Sequence, residues 1–181
     1  GGCVAEAYKF TETTPQLPKP TYSFYWNFGD PGSGANNTSN VRNPSHTFSA
    51  PGTYTVKYVA ITTPGCFTDT VTKTVIVDSL PRGTISGTIA VCQNSAPDPV
   101  ITFTGLHGTL PYTFYYNING GPALSVATVA PSATATITAP TTVAGVFVYT
   151  LDSVKNTGST LCVQSITGQQ TTITVNPLPT A

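Results

Sequence analysis

Charge is the scarcest commodity in this sequence. Asp, Glu, Lys and Arg make up 8% of its 181 residues, against about a quarter in an ordinary soluble domain. The seven basic and seven acidic side chains cancel and stand singly, so no basic stripe competes for phosphates. Nucleic acid and acidic membrane surfaces are therefore excluded as partners. No apolar run approaches the roughly 20 residues of a membrane helix, and membrane insertion is not expected. Methionine is absent and no signal peptide opens the chain, the pattern of a processed product or an excised piece. Only two histidines occur, His46 and His107, and no Gly-x-Ser-x-Gly surrounds a serine, so no nucleophile with a neighbouring base is legible. Asp30 is the sole acid between Glu12 and Asp69, which leaves no carboxylate pair for glycosidase chemistry. No two His or Cys residues are near neighbours, so zinc spacing is missing too. The chain reads as a non-enzyme without a cofactor.

Thr, Ser, 16 Gly and 16 Pro fill the space that charge leaves. Hydrophobic residues reach 39% and alternate with a period of two, so the chain folds, and no useful 3.6-residue apolar pattern exists. It is predicted to be all-β, as two tandem antiparallel β-sandwiches. The organising stretch is Tyr22 to Ile61. In its first strand Tyr22, Phe24, Trp26 and Phe28 point to one side, and Tyr54, Val56, Tyr58 and Ala60 share a face of a second strand. Trp26 is thereby assigned to the core, whereas Tyr25 and Tyr115 face the other way and are the candidate ligand-contact aromatics. Gly29 to Gly32 breaks the first strand, and the polar run to Asn43 reads as loop. A short alternating run (Val4, Ala5, Tyr8, Phe10) could open the first unit, Thr14 to Pro20 reads as a proline-held connector, and Cys66 to Val77 closes the unit.

The break from Asp78 to Gly83 marks a boundary, and its phrase returns. Val77-Asp78-Ser79-Leu80-Pro81 corresponds to Val175-Asn176-Pro177-Leu178-Pro179, and Gly145 to Leu151 aligns with Gly52 to Tyr58. The predicted organisation is 1–80, 82–177, and the start of a further unit at 178–181. Strands in the second unit are expected over 83–90, 100–104, 112–118, 123–129, 133–138, 145–154, 161–166 and 171–175, with a positive-φ hairpin turn in Asn117 to Gly121. Each unit carries one cysteine near its start and one late: Cys3 and Cys66, then Cys92 and Cys162. Four cysteines allow three pairings. The repeat selects Cys3–Cys66 and Cys92–Cys162, each closing a long loop and contributing roughly 4 kcal/mol. Paired cysteines imply an oxidising, extracellular compartment.

Three ordered blocks in the first unit, W-N-F-G-D from Trp26, N-P-S-H-T-F from Asn43 and A-P-G-T-Y-T-V from Ala50, resemble the signature of PKD domains over residues 21 to about 77. That resemblance implies an Ig-like β-sandwich, with His46 bracing a turn in the second block; Asp30, as a lone carboxylate at a strand end, is expected to cap that end through an Asx-turn. Some PKD-like modules bind calcium, which makes Asn27 and Asp30 weak candidate ligands, a single carboxylate being a poor site. Residues 82–181, with GTISGTIAVCQNSAPDPVITFTG and VNPLPTA, resemble the repeats of giant Bacteroidetes surface proteins exported by the type IX pathway, gliding-motility adhesins among them. Asp-Ser/Thr-aliphatic triplets resemble the O-glycosylation sequon of those bacteria and implicate Thr70, Ser79 and Ser153. The expected function is a structural, adhesive repeat segment of a secreted cell-surface protein. Its partners would be neighbouring repeats, a surface polysaccharide or a substratum. The alternatives are a carbohydrate-binding accessory of a secreted hydrolase and a subunit of an extracellular filament.

Overall fold

The structure is a computed structural model, described over residues 1–13, 22–62, 70–156 and 161–180. The chain divides into two compact units, Gly1–Ser79 and Leu80–Ala181. Both are built from strands, and together they form tandem β-sandwiches of an all-β protein.

Unit 1 contains β1 (Gly2–Cys3), β2 (Tyr8–Lys9), β3 (Tyr22–Asn27), β4 (Thr38–Ser39), β5 (Ser45–His46), β6 (Gly52–Thr62) and β7 (Val71–Asp78). One sheet runs β1-β7-β6-β3-β4, and β2 pairs with β5 opposite it. The aromatic alternation does what period two requires. Trp26, Phe28, Val56, Tyr58 and Ala60 are buried in one core, Tyr22, Phe24 and Tyr54 pack against it, and Tyr25 on the other face is 43% exposed. The expected loop to Asn43 is more ordered than its polarity suggested. A 3-10 helix (Pro31–Asn37), broken by a kink at Gly34, leads into β4, which pairs with the end of β3. Proline at its start tolerates the missing donor, and Phe28 N donates to Asn37 O at 2.9 Å, folding the run back on the strand. The opening run splits into β1 and β2, on different sheets. The proline-held connector and the first residues of the expected 66–77 strand lie outside the described residues.

Unit 2 contains β8 (Arg82–Ser86), β9 (Ile89–Cys92), β10 (Val100–Leu106), β11 (Tyr112–Ile118), β12 (Leu124–Ala127), β13 (Thr134–Thr138), β14 (Gly145–Asn156), β15 (Val163–Ser165) and β16 (Gln170–Asn176). Its sheets run β13-β10-β8 and β12-β11-β14-β16-β9, with β15 on β14. Ile101, Phe103, Phe114, Leu151, Val154 and Ile173, all fully buried, fill the space between. The single strand expected over 83–90 is two strands in two sheets. The chain crosses at Gly87, whose φ of 130° suits only glycine and whose Cβ would sit 2.6 Å from Val100 O. The expected hairpin turn is present, with Asn119 and Gly120 at φ 51° and 70°, and Asn119 Oδ1 accepting from Val148 N at 2.8 Å. At the other end of β11 the Tyr112 hydroxyl donates to His107 O, and the Tyr112 ring lies directly over Gly105.

Both units close alike. Parallel pairing joins β1 to the end of β7, with Cys3 opposite Asp78, and β9 to the end of β16, with Cys92 opposite Asn176. The expected Cys92–Cys162 bond is not made: Cys92 is a free, exposed thiol. Gly145, at the start of β14, pairs with Val175 beside β9. Cys162 bonds to Asn156, at the far end of β14, through N to Oδ1 at 2.8 Å. The 12 residues of β14 hold the two cysteines apart, roughly 36 Å at 3.3 Å per residue, where a disulfide needs Cα atoms within about 7 Å. Cys3 and Cys162 are each disulfide-bonded, whereas the expected Cys3–Cys66 bond falls on Cys66, which lies outside the described residues.

Candidate functional site

The polar groups that the sequence singled out in unit 1 converge beneath the 3-10 helix. Glycine at 29, with φ 69°, turns the chain where a Cβ would meet Thr55 O at 2.6 Å, and this delivers the next residue, Asp30, into the core. Asp30 is 1% exposed. Its Oδ2 accepts from Ser49 N at 2.8 Å and faces His46 Nε2 at 3.0 Å, while Oδ1 accepts from Ser49 Oγ at 2.5 Å. Asp30 N in turn donates to Asn37 Oδ1 at 2.6 Å. The carboxylate thus ties the strand end to a segment 19 residues away instead of closing a local Asx-turn. His46 does brace, but from inside: its ring stacks on Phe28 at 4.2 Å and meets Phe48 edge-on at 4.7 Å.

Aspartate, histidine and serine in contact invite a comparison with a hydrolytic triad, and the order of contacts rules it out. The Ser49 hydroxyl proton points to the carboxylate, not the imidazole, so no base activates the oxygen. All of Asp30's bonds are used inside the core, which leaves no open carboxylate for calcium. Asn27 Oδ1 accepts from Gly29 N at 2.9 Å. Among the described residues no group of three or more His, Cys, Asp or Glu could hold a metal. The cluster is a structural clasp.

Burial pushes the Asp30 carboxyl up, but hydrogen bonds from Ser49 Oγ and N, then from His46 with its charge, outweigh it and leave the group below its ordinary value. The folded chain therefore holds this proton more weakly than the unfolded one. The resulting stability is complete above the unfolded value of about 3.9 and is lost as pH falls through the folded value. Thermal melts followed by the fluorescence of Trp26, the only tryptophan, should decline below about pH 4. An Asp30→Asn variant should melt lower at neutral pH with a flatter acid limb. An unchanged acid limb would show that Asp30 does not carry the effect.

A second polar cluster gave no sequence signal. Glu12, whose side chain is 3% exposed, accepts from Arg42 Nε at 2.7 Å and lies 3.5 Å from the Tyr58 hydroxyl. Nothing in the spacing of residues 30 apart announces that pair. Beside it, a cleft of about 570 Å³ is lined by Tyr8, Phe10, Glu12, Trp26, Tyr58 and Val71. Trp26 packs on Tyr58 at 4.4 Å and contributes to the core, as expected.

The remaining candidates are dispersed. Tyr25 is exposed on β3 opposite Val59, whereas Tyr115 is half-buried on β11 between Ser125 and Ser153. Thr70 is exposed and Ser79 half-buried. Ser153 sits mid-ladder in β14, flanked by Tyr115 and Ser165, and its neighbour Asp152 accepts from Asn117 Nδ2 at 2.9 and 3.0 Å. His107 lies in a loop at φ 57°, its carbonyl taken by Tyr112. No helix among the described residues is long and apolar enough to cross a membrane.

These features define a pair of β-sandwiches whose ionisable groups hold turns. Residues 2–77 match the PKD domain family, as the three sequence blocks led us to expect. Among curated proteins none matches the chain. Solved structures with a similar course are the D00-D0 domain of intimin, at 15% identity and TM-score 0.42, covering 95% of this chain and 91% of that one. Fibronectin(III)-like modules of CbhA from Clostridium thermocellum follow, at 13% and 0.42, covering 99% and 92%. An amphioxus IgVJ-C2 molecule stands at 16% and 0.33, covering 92% and 98%.

Proposed function

We propose that the chain is a non-enzymatic, load-bearing and adhesive repeat segment of a large secreted bacterial surface protein, of the adhesin or gliding-motility type exported by the type IX pathway. The observation that carries this reading is the shared closure of the two units. In each, the last strand pairs in parallel with an early one, and the amide after the first cysteine donates to the last strand's final carbonyl: Val4 N to Asp78 O, and Gln93 N to Asn176 O, both at 2.8 Å. Tension along the chain pulls such paired strands in opposite directions along their axes. Their hydrogen bonds are then loaded together rather than one after another, and repetition adds reach. Burial of Asp30 and His46 in a clasp, and the disulfide bonding of Cys3 and Cys162, fit an inert module in an oxidising extracellular setting. Neighbouring repeats, a surface polysaccharide or a substratum are the partners in this reading, and Thr70, Ser79 and Ser153 the glycan acceptors, with Thr70 the most open.

Force spectroscopy on a Gln93→Pro variant tests it. Proline removes the donor to Asn176 O, so the unfolding force of unit 2 should fall while that of unit 1 stays unchanged. An unaltered force for unit 2 would refute a mechanical role for the β9–β16 closure.

A further inference from the structure

The first cysteines of the two units occupy one structural position. Cys3 stands opposite Asp78 and Cys92 opposite Asn176, the last residues of β7 and β16, so each lies where its unit's closing strand ends. Cys3 is disulfide-bonded, yet Cys92 is free and exposed. Unit 2 offers it no partner, because Cys162 sits at the other end of β14, where the chain enters the unit. There Asn156, which binds Cys162, and Pro81 both flank Gly108. Cys162 is fully buried and already bonded. A late cysteine at the entering end and an early one at the leaving end suit bonds between consecutive units.

We propose that Cys92 forms a disulfide with the cysteine that occupies the position of Cys162 in the unit following it. The proposal rests on the repeat reading above. Oxidation is by a low-molecular-weight disulfide. The Cys92 thiolate attacks one sulfur of that molecule and expels a small thiolate, giving a mixed disulfide. The partner thiolate then attacks the Cys92 sulfur and expels the second small thiolate. Each cysteine gives up one proton, and the small disulfide takes both electrons. The bond would staple the leaving end of one sandwich to the entering end of the next, so that tension crosses the junction through a covalent bridge as well as the linker.

The test uses the chain extended after Ala181 by a second copy of residues 80–181, held in a glutathione redox buffer and mapped as unreduced peptides. The expected result is a link from the first Cys92 to Cys162 of the added copy, with alkylation of Cys92 falling by about tenfold or more relative to the unextended chain. Cys162→Ser in the added copy should restore full alkylation. Cys92 remaining free, capped only by glutathione, or joined to Cys92 of another molecule would overturn the proposal. Stretching the extended Cys92→Ser chain under reducing conditions, which open the bonds of Cys3 and Cys162, scores the repeat reading separately. Three unfolding events with Cys92 reduced in the parent would sink the bridge alone, whereas failure of the added copy to unfold as its own event would sink the repeat reading.

Discussion

Replacing Asp30 by alanine should lower the stability of unit 1 by about 3 kcal/mol, because it strands buried partners rather than deleting one contact. Ser49 N, Ser49 Oγ and His46 Nε2 all converge on that carboxylate, and the residue is 1% exposed. Water cannot replace it without opening the Phe28–His46–Phe48 stack. Three kcal/mol is a factor of about 150 in the folded-to-unfolded ratio, a large share of a small domain's total. Because the only tryptophan, Trp26, lies in the unit 1 core, denaturant unfolding followed by its fluorescence reads that unit alone. The fluorescence midpoint should fall steeply while the second transition in far-UV circular dichroism, which Trp26 does not report, keeps its place. A shift below about 1 kcal/mol would mean the clasp is solvated and stabilises little.

Gly105→Ala should damage unit 2 comparably and leave Trp26 fluorescence unmoved. The added Cβ would press into the Tyr112 ring, with Cε2 at 2.6 Å and Cγ at 2.7 Å, and the ring has no free direction because its hydroxyl is fixed on His107 O. Tyr112 is 4% exposed and belongs to the same core as Phe114. Overpacking of this kind costs about 3 kcal/mol when neighbours cannot yield. Far-UV circular dichroism melts of the variant should show unit 2 unfolding first. A wild-type melt would place the ring elsewhere in solution.

Much of this fold was legible because a sandwich writes its burial pattern at a period of two. The Trp26 and Tyr58 faces and the Asn119-Gly120 turn followed from alternation and turn chemistry, and the matching 52–58 and 145–151 strands from the internal repeat. The crossing at Gly87 did not, since alternation through Ile85 and Ile89 continues unbroken while the backbone changes sheets. The Asp30 clasp was half visible. Both motif blocks that contain Asp30 and His46 stood out, but the sequence assigned each a local turn, and only the fold brings Ser49 to the same carboxylate. The cysteines teach the sharpest lesson. Repeat alignment correctly matched Cys3 with Cys92, but equivalence between units says nothing about which end of a sandwich a residue occupies. Pairing depended on that end, and the length of β14 decided against Cys92–Cys162.

The central claim is that two self-contained sandwiches carry load as separate units. Stretching single molecules by their ends under reducing conditions tests it most directly. The account predicts two force peaks, releasing roughly 28 nm and 37 nm of chain at about 0.36 nm per residue for Gly1–Ser79 and Leu80–Ala181. One merged event, or extension without a force peak, would contradict it.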